Sequence, residues 1–510
     1  MSITTSLDPN AIASTTSISI KQKNQQNAAI LRPEKIVFIG QAQTGKTVKE
    51  NKIQLTSGNA DDIGVVCGFG SPMHRMARKL FPIAGNGSKV DTYYMIVPAP
   101  TDAKAEVKTL TMTIADKIKK TFTGYFIVND LLFEAAADVA GKVATNAQLN
   151  PAKAPRGIDL NSYEKTKIPF TFSKGATLAE ATATLQEILS EYIELPFTIT
   201  KGEVAGILTL TAKWAGSDSN FEITVTDEKG DEIDSALTGV TFKIERTTEG
   251  AGIGTIPTEA LEEITEDYGI TRVVSQYANE SVLDKLQSYF EGFRDGQIAQ
   301  YVICYSSIEA PESSTVPGTW DIETLIEAGN ARRDDAVNVQ LVGDFGKLRK
   351  LIYKNRDRLA KAGYSHLMQK SDGSYRIMDL ISFYHPIDKT NPLFRFDRAI
   401  TMTGNICHHF MSVFRDSEEW KSVILVGPND LTTNPAARTL ADVKAEVNRG
   451  ISLLGQAGII ANYADAQKYT QVEIDKTNPD RVNMNPFMDL TGVGRIFDLT
   501  NFLGFNFNGN

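Results

Sequence analysis

Gly40-Gln41-Ala42-Gln43-Thr44-Gly45-Lys46-Thr47 has the residue types and the spacing of a nucleotide phosphate loop, and it follows directly on the apolar run Ile36-Val37-Phe38-Ile39. In such a loop the glycines let backbone N–H groups curl around phosphates while the lysine reaches the outer ones. The loop also needs a helix opening at the Lys-Thr pair, whose N-terminus adds free donors and a favourable dipole. Beyond Lys46, however, apolar residues fall at Val48, Ile53 and Leu55. The period of two between Ile53 and Leu55 suits an extended strand, and no stripe at three- and four-residue spacing follows. A second component, an apolar strand ending in a metal-holding Asp, has one candidate. Val423-Ile424-Leu425-Val426 runs into Gly427-Pro428-Asn429 before reaching Asp430. Two readings stand: a phosphate-binding NTPase using Gly40, Gly45, Lys46 and Thr47, or a strand, a glycine turn and a second strand in which the pattern is fortuitous and no cofactor binds. The spacing favours the second.

Other reactive constellations are sparse. Histidine occurs only at 74, 366, 385, 408 and 409, and Cys407-His408-His409 is the one cluster of metal-ligand types. Successive helical residues diverge by about 100°, so the three cannot converge on one ion, and no metal is expected. Cys-His nucleophilic chemistry lacks a third, orienting group. Gly363-Tyr364-Ser365-His366-Leu367 fails at the last position of a nucleophile elbow. Asp334-Asp335 and Glu418-Glu419 read as solvated helix ends. No catalytic residue is expected, and the chain does not read as an enzyme.

The elements that would position these residues follow from local signals. Ser71 can cap a helix whose first residue, Pro72, needs no N–H. Met73, Met76, Ala77, Leu80 and Phe81 then share one face, with His74, Arg75, Arg78 and Lys79 mostly on the other. Thr177-x-x-Glu180 is a capping box, opening a helix with a core stripe of Leu178, Ala181, Leu185, Ile188 and Leu189.

At 510 residues the chain is too long for one core. Its 42% hydrophobic and 23% charged content is that of an ordinary soluble protein, and a net charge of -9 argues against a nucleic-acid binder. No apolar run approaches the ~20 residues of a membrane span. MSITTSLDPN has neither the basic flank nor the apolar core of a secretion signal. Cys67, Cys304 and Cys407 lie far apart, which fits reduced thiols in a cytosol.

In chain order, residues 1–33 are Ser/Thr/Asn/Gln-rich, with one short alternation, Ser17-Ile18-Ser19-Ile20-Lys21, that reads either as a strand seeking a sheet or as a disordered tail. Residues 34–103 give strand, strand, helix, strand, the first part of an α/β core. After Pro98-Ala99-Pro100 the texture changes, and 104–248 read as an inserted, strand-rich α+β domain. An Ala-rich helix is expected there from Leu131 to about Thr145, and an exposed loop from Pro151 to Asn161. Residues 249–345 return to the α/β rhythm, which implies a mostly parallel sheet covered on both faces. Residues 346–482 carry an amphipathic helix from Lys347 to Gly363, a hairpin turning at Asp372-Gly373, and helices over 402–420 and 437–457.

Residues 483–510 end in an arm. Phe497, Leu499, Leu503, Phe505 and Phe507 alternate with polar residues and glycine, a strand with one apolar face. Burying five such side chains yields ~1.5–3 kcal/mol each, and ordering each residue of the strand costs ~1–2 kcal/mol. The strand therefore holds only beside another, from its own subunit or from a neighbour.

Several segments carry a resemblance. Ile39-Gly40-Gln41, a glycine turn, a strand ending in Thr56-Ser57 and then Gly68-Phe69-Gly70-Ser71 with Met76 resemble the start of the contractile tail sheath proteins of Mu-type bacteriophages. The family more often has one further residue between the two glycines. Leu208–Trp214 with Gly216 and Asn220 is similar to the insert of those sheaths. Phe383-Tyr384-His385 is similar to their segment after the hairpin, and Asn478-Pro479-Asp480-Arg481-Val482 to the turn before their terminal strands. The resemblance implies a core of subtilisin-like topology, an inserted domain and extended arms. It also implies a structural subunit of a virion tail, assembled in the host cytoplasm. The subunit would polymerise with copies of itself, in stacked rings, around a tail tube protein. It would meet a baseplate and a tail terminator but no nucleic acid and no membrane. Arms bearing Ile18 and Ile20 at one end and Phe497, Leu499, Leu503, Phe505 and Phe507 at the other would knit neighbours together. A bacterial contractile injection system is the alternative setting.

Overall fold

The computed structural model describes residues 28–81, 90–134, 163–265, 269–277, 395–430 and 432–492, with short pieces between 282 and 379. The chain forms two compact units, one of residues 33–401 and one of residues 1–32 with 402–510.

The first unit is organised on β1 (Lys35–Gly40), whose apolar run is buried from Ile36 onward. It pairs in parallel with β3 (Asp91–Ile96) and β11 (Arg272–Ser275), and β11 pairs in parallel with β12 (Ile303–Cys304). β2 (Ile53–Leu55) closes the other edge antiparallel to β3, giving the order β12-β11-β1-β3-β2. Both faces are covered, which is why β1 is apolar throughout instead of alternating. On one face Val37, Ile39 and Met95 pack with Ala260, Leu261 and Ile264 of α5 (Thr258–Thr265). On the other, Ile36, Phe38 and Tyr94 meet Ala60, Ile63 and Cys67 of α1 (Ala60–Cys67) and Met73, Met76, Ala77 and Leu80 of α2 (Pro72–Leu80). Ser71 Oγ accepts from His74 N and Pro72 opens α2, as the sequence predicts. Helix α1, capped by Asn59 through Asp61 N, is absent from the sequence reading; it is short and leaves Val65 and Val66 exposed.

Between Lys104 and Ala251, which exchange both backbone hydrogen bonds, lies a module with its own core. β10 (Val240–Thr248), β4 (Val107–Ile114), β8 (Ile207–Ala212) and β7 (Phe197–Lys201) form one antiparallel sheet in that order. β6 (Tyr163–Phe172), β5 (Phe122–Glu134) and β9 (Glu222–Thr226) form a second. α3 (Leu178–Ser190) has the expected capping box and buries Ala181, Leu185 and Leu189 among Phe126, Phe170, Phe172 and Phe197. The expected helix from Leu131 is corrected over its described part. Leu132, Phe133 and Glu134 continue β5, because they pair with Lys165, Glu164 and Tyr163 across a bulge. The rest of that helix and the Pro151–Asn161 loop lie outside the described residues.

Further on, β13 (Val339–Leu341), β15 (Tyr375–Asp379) and β14 (His366–Gln369) form an antiparallel sheet in the order β13-β15-β14, so the two arms of the expected hairpin do pair.

In the second unit, α6 (Asp397–Met411) contributes its residues from Met402 and passes into a π-type turn, Ser412–Asp416, ending earlier than the helix expected to Trp420. β16 (Ile424–Leu425) pairs with β17 (Ala437–Arg438). α7 (Leu440–Gln456) starts three residues later than predicted, where Thr439 and Asp442 make a capping box. β18 (Ile460–Ala461), α8 (Tyr463–Tyr469), β19 (Gln471–Ile474), β20 (Val482–Asn485) and β21 (Asp489–Leu490) follow. Met402, Ile406, Leu454, Ile459 and Ile460 are its centre.

Candidate functional site

The phosphate-loop pattern folds as strand, turn and coil. No helix opens at Lys46; the chain runs on to β2. Four of the backbone donors of the loop are already used. Gln41 N donates to Gln276 Oε1 (2.6 Å), Gln43 N to Cys67 O (2.7 Å), Thr44 N to Lys213 O (2.8 Å) and Lys46 N to Gln43 O (3.1 Å). Each glycine has a reason of its own. A Cβ on Gly40 would stand 2.9 Å from both Gln276 Oε1 and the Met76 methyl, and Gly45 turns the chain at φ +87° with open space around it. Lys46 and Thr47 are exposed, and Lys46 Nζ reaches only Val65 O, at 3.4 Å. The geometry makes no phosphate cradle. Asp430, the proposed metal holder, accepts from Gly427 N (2.7 Å) and so closes its own turn.

What the loop does join is a junction. Gly68 and Gly70 both have positive φ, and a Cβ on Gly70 would lie 2.4 Å from Leu195 O. The Gly-Phe-Gly-Ser segment thus rests directly on the backbone that follows α3. Lys213 Nζ donates to Phe69 O and to Ile193 O, each at 2.6 Å. Arg78 donates to Glu194 Oε1 (2.6 Å) and to Asp61 Oδ1 (2.9 Å), tying α2 to α1 and to the inserted module. His74 Nδ1 accepts from Gly70 N (3.2 Å), and its Nε2 lies 3.6 Å from Glu194 Oε1.

The polar face predicted for α2 is therefore corrected: His74 and Arg78 are buried. Helix α2 is covered on two sides, by the sheet and by the module, and the second cover comes from far along the chain. The detectable signal was their spacing of four, which puts both on one face of α2.

The electrostatics are those of a closed lock. Asp61 and Glu194 face Arg78 and Lys213, two anions against two cations. Burial pushes the His74 pKa down to about 4, so the ring is neutral at pH 7, and burial pushes Lys213 down to about 8. Burial raises Asp61, with Arg78 acting against it. The Cys67 thiol, pushed up to about 12, is not a nucleophile. Nearby, Gln276 donates to Asp218, which burial lifts to about 6. These groups hold elements together and present no activated nucleophile.

Cys407, His408 and His409 do not converge on one point. His409 Nδ1 accepts from Ile30 N (3.1 Å), while His408 Nε2 lies 3.5 Å from Ser412 Oγ. Among the described residues no group of three or more His, Cys, Asp or Glu could hold a metal ion, and no helix is long and apolar enough to cross a membrane. Ile18, Ile20, Phe497, Leu499, Leu503, Phe505 and Phe507 lie outside the described residues.

No family model matches the chain, and no curated protein matches it. Solved structures do. The sheath tail protein of Listeria innocua is 10% identical, covering 92% of this chain and 94% of that one, at a TM-score of 0.43. The sheath tail protein of Desulfitobacterium hafniense is 12% identical over 94% of this chain and 100% of that one, at 0.42. A chain of the anti-feeding prophage baseplate is 13% identical over 50% of this chain and 76% of that one, at 0.35.

Proposed function

We propose that this chain is a structural subunit of a contractile tail sheath, without catalytic activity, and that it polymerises as a helical tube around a tail tube. The observation that carries the reading is the ribbon β19–β20. Its turn carries Asn478-Pro479-Asp480-Arg481 and leads into Val482 of β20, the segment in which the chain resembles Mu-type sheaths near their terminal strands. Asp475 organises that turn, accepting from Thr477 N (2.9 Å) and Asn478 N (3.1 Å). Val472, Ile474, Val482 and Met484 alternate onto one face, and Ile474 and Met484 remain exposed. Among the described residues β19 and β20 pair only with each other. Two strands alone are marginal in water, and open edges with an apolar face invite further strands.

In this reading the missing strands are the arms of neighbouring subunits, Ser17–Lys21 and Phe497–Phe507. The core of subtilisin-like topology carries the lattice contacts. A metastable extended lattice, built during assembly, stores the energy, and contraction drives the tube through a host envelope without nucleotide. Baseplate and tail terminator bound the polymer, and a phage of Mu type or a bacterial injection system is the setting. Negative-stain microscopy of the purified chain tests the proposal. Tubes or rings are expected from the full chain and a soluble monomer from a variant lacking 495–510; tubes from the truncated variant would defeat it.

A further inference from the structure

Residues 29–32 lie along α6, and two side chains of that helix accept hydrogen bonds from their backbone. Asn405 Oδ1 accepts from Arg32 N (2.9 Å) and His409 Nδ1 accepts from Ile30 N (3.1 Å). The spacings match. Four helical residues advance ~6 Å along one face, and two extended residues advance ~6.6 Å with both N–H groups on the same side. Helix α6 therefore offers this segment two acceptors at the repeat that a neighbouring strand would offer. Both acceptors are buried, His409 at 0% exposure and Asn405 at 4%. Ala29 packs against the core around Met402 and Ile406, and the Arg32 guanidinium lies over Gly404, where a Cβ would stand 2.8 Å from its central carbon.

His409 can accept at Nδ1 only as a neutral ring carrying its proton on Nε2. The titratable groups acting on it are Arg449 and Glu446 of α7, which pair with each other, and His408 on α6, on which the Arg32 charge acts in turn. Burial, then the Arg449 charge, holds its pKa below the usual histidine range. Gly450 lets α7 close over the ring, since a Cβ there would lie 3.1 Å from Nε2.

We propose that Asn405 and His409 form a two-point clamp that holds the backbone of residues 30–32 against α6, and that protonation of His409 opens it. The inference stands on the clamp alone and is independent of the sheath reading.

Hydrogen–deuterium exchange on the full-length chain tests it. At about pH 7.5, Asn405→Ala and His409→Ala are each expected to speed exchange over 30–32 by about five- to tenfold, with peptides over 447–454 unchanged. His409→Gln, whose side-chain oxygen can accept, should restore most of the protection. On acidification to about pH 4.5, with rates corrected for intrinsic exchange, the wild type should lose protection over 30–32 while His409→Gln keeps it. Should His409→Ala unfold the unit, the pH comparison of wild type with His409→Gln still decides. Equal pH behaviour in those two proteins, or an unprotected segment in the wild type, overturns the clamp.

Discussion

Gly70 and Gly45 both sit at positive φ, yet they should respond differently to alanine. A Cβ on Gly70 meets the Leu195 carbonyl oxygen at 2.4 Å, whereas Gly45 has nothing within 4 Å. Gly70→Ala is expected to cost ~3 kcal/mol or more and Gly45→Ala only ~1 kcal/mol, read from urea midpoints followed by circular dichroism. Lys46→Ala, an exposed change, should stay within about 0.5 kcal/mol and leave titrations with a fluorescent nucleotide unaltered. Saturable ATP binding lost in that variant would revive the phosphate loop.

His74 makes a pH prediction. Its folded pKa of about 4 lies below the unfolded value of about 6.5, so as pH falls the unfolded chain takes up the proton first. Stability present above about 6.5 is lost between about 6.5 and 4, in all ~3 kcal/mol. Urea unfolding across that window should show the slope in the wild type and a shallower one in His74→Gln. At this scale Ser71 and Pro72 were legible because a cap is a local device. The burial of His74 and Arg78 was not, because Arg78 meets Glu194 across 116 residues.

At the scale of elements, α2 is the joint on which the first unit turns. It has the sheet on one side and the inserted module on the other, and Arg78 ties it to α1 and to the module. Arg78→Ala leaves the buried Glu194 and the half-buried Asp61 beside no guanidinium and should cost ~3 kcal/mol. A double-mutant cycle with Glu194→Ala should return a coupling of about 1 kcal/mol or more, whereas additive losses would make the pair incidental. Capped helices such as α2 and α3 announce themselves in sequence. The helix expected from Leu131 did not hold over its described residues, because pairing with β6 outweighed local preference. Helix α1 has no such signal, because eight residues with two exposed valines leave little periodicity.

At the scale of the whole molecule, the α/β rhythm and the change of texture after Pro98–Pro100 could be read from residue types alone. The grouping of residues 28–32 with the chain after Met402 could not. It rests on contacts such as Ile30 with His409, 379 positions apart, and no local pattern signals them. Polymerisation belongs to this scale as well. Light scattering of the full chain should grow with concentration, and it should stay flat for the variant lacking 495–510.

Lys104 and Ala251 stand hand in hand, so the module between them departs and returns through a single doorway. A domain hung in that way can be swapped for foreign cargo without tearing the sheet it hangs from. Any replacement would still have to offer a carboxylate to Arg78 and a backbone that can rest against Gly70, which makes the doorway portable but its threshold particular to this chain.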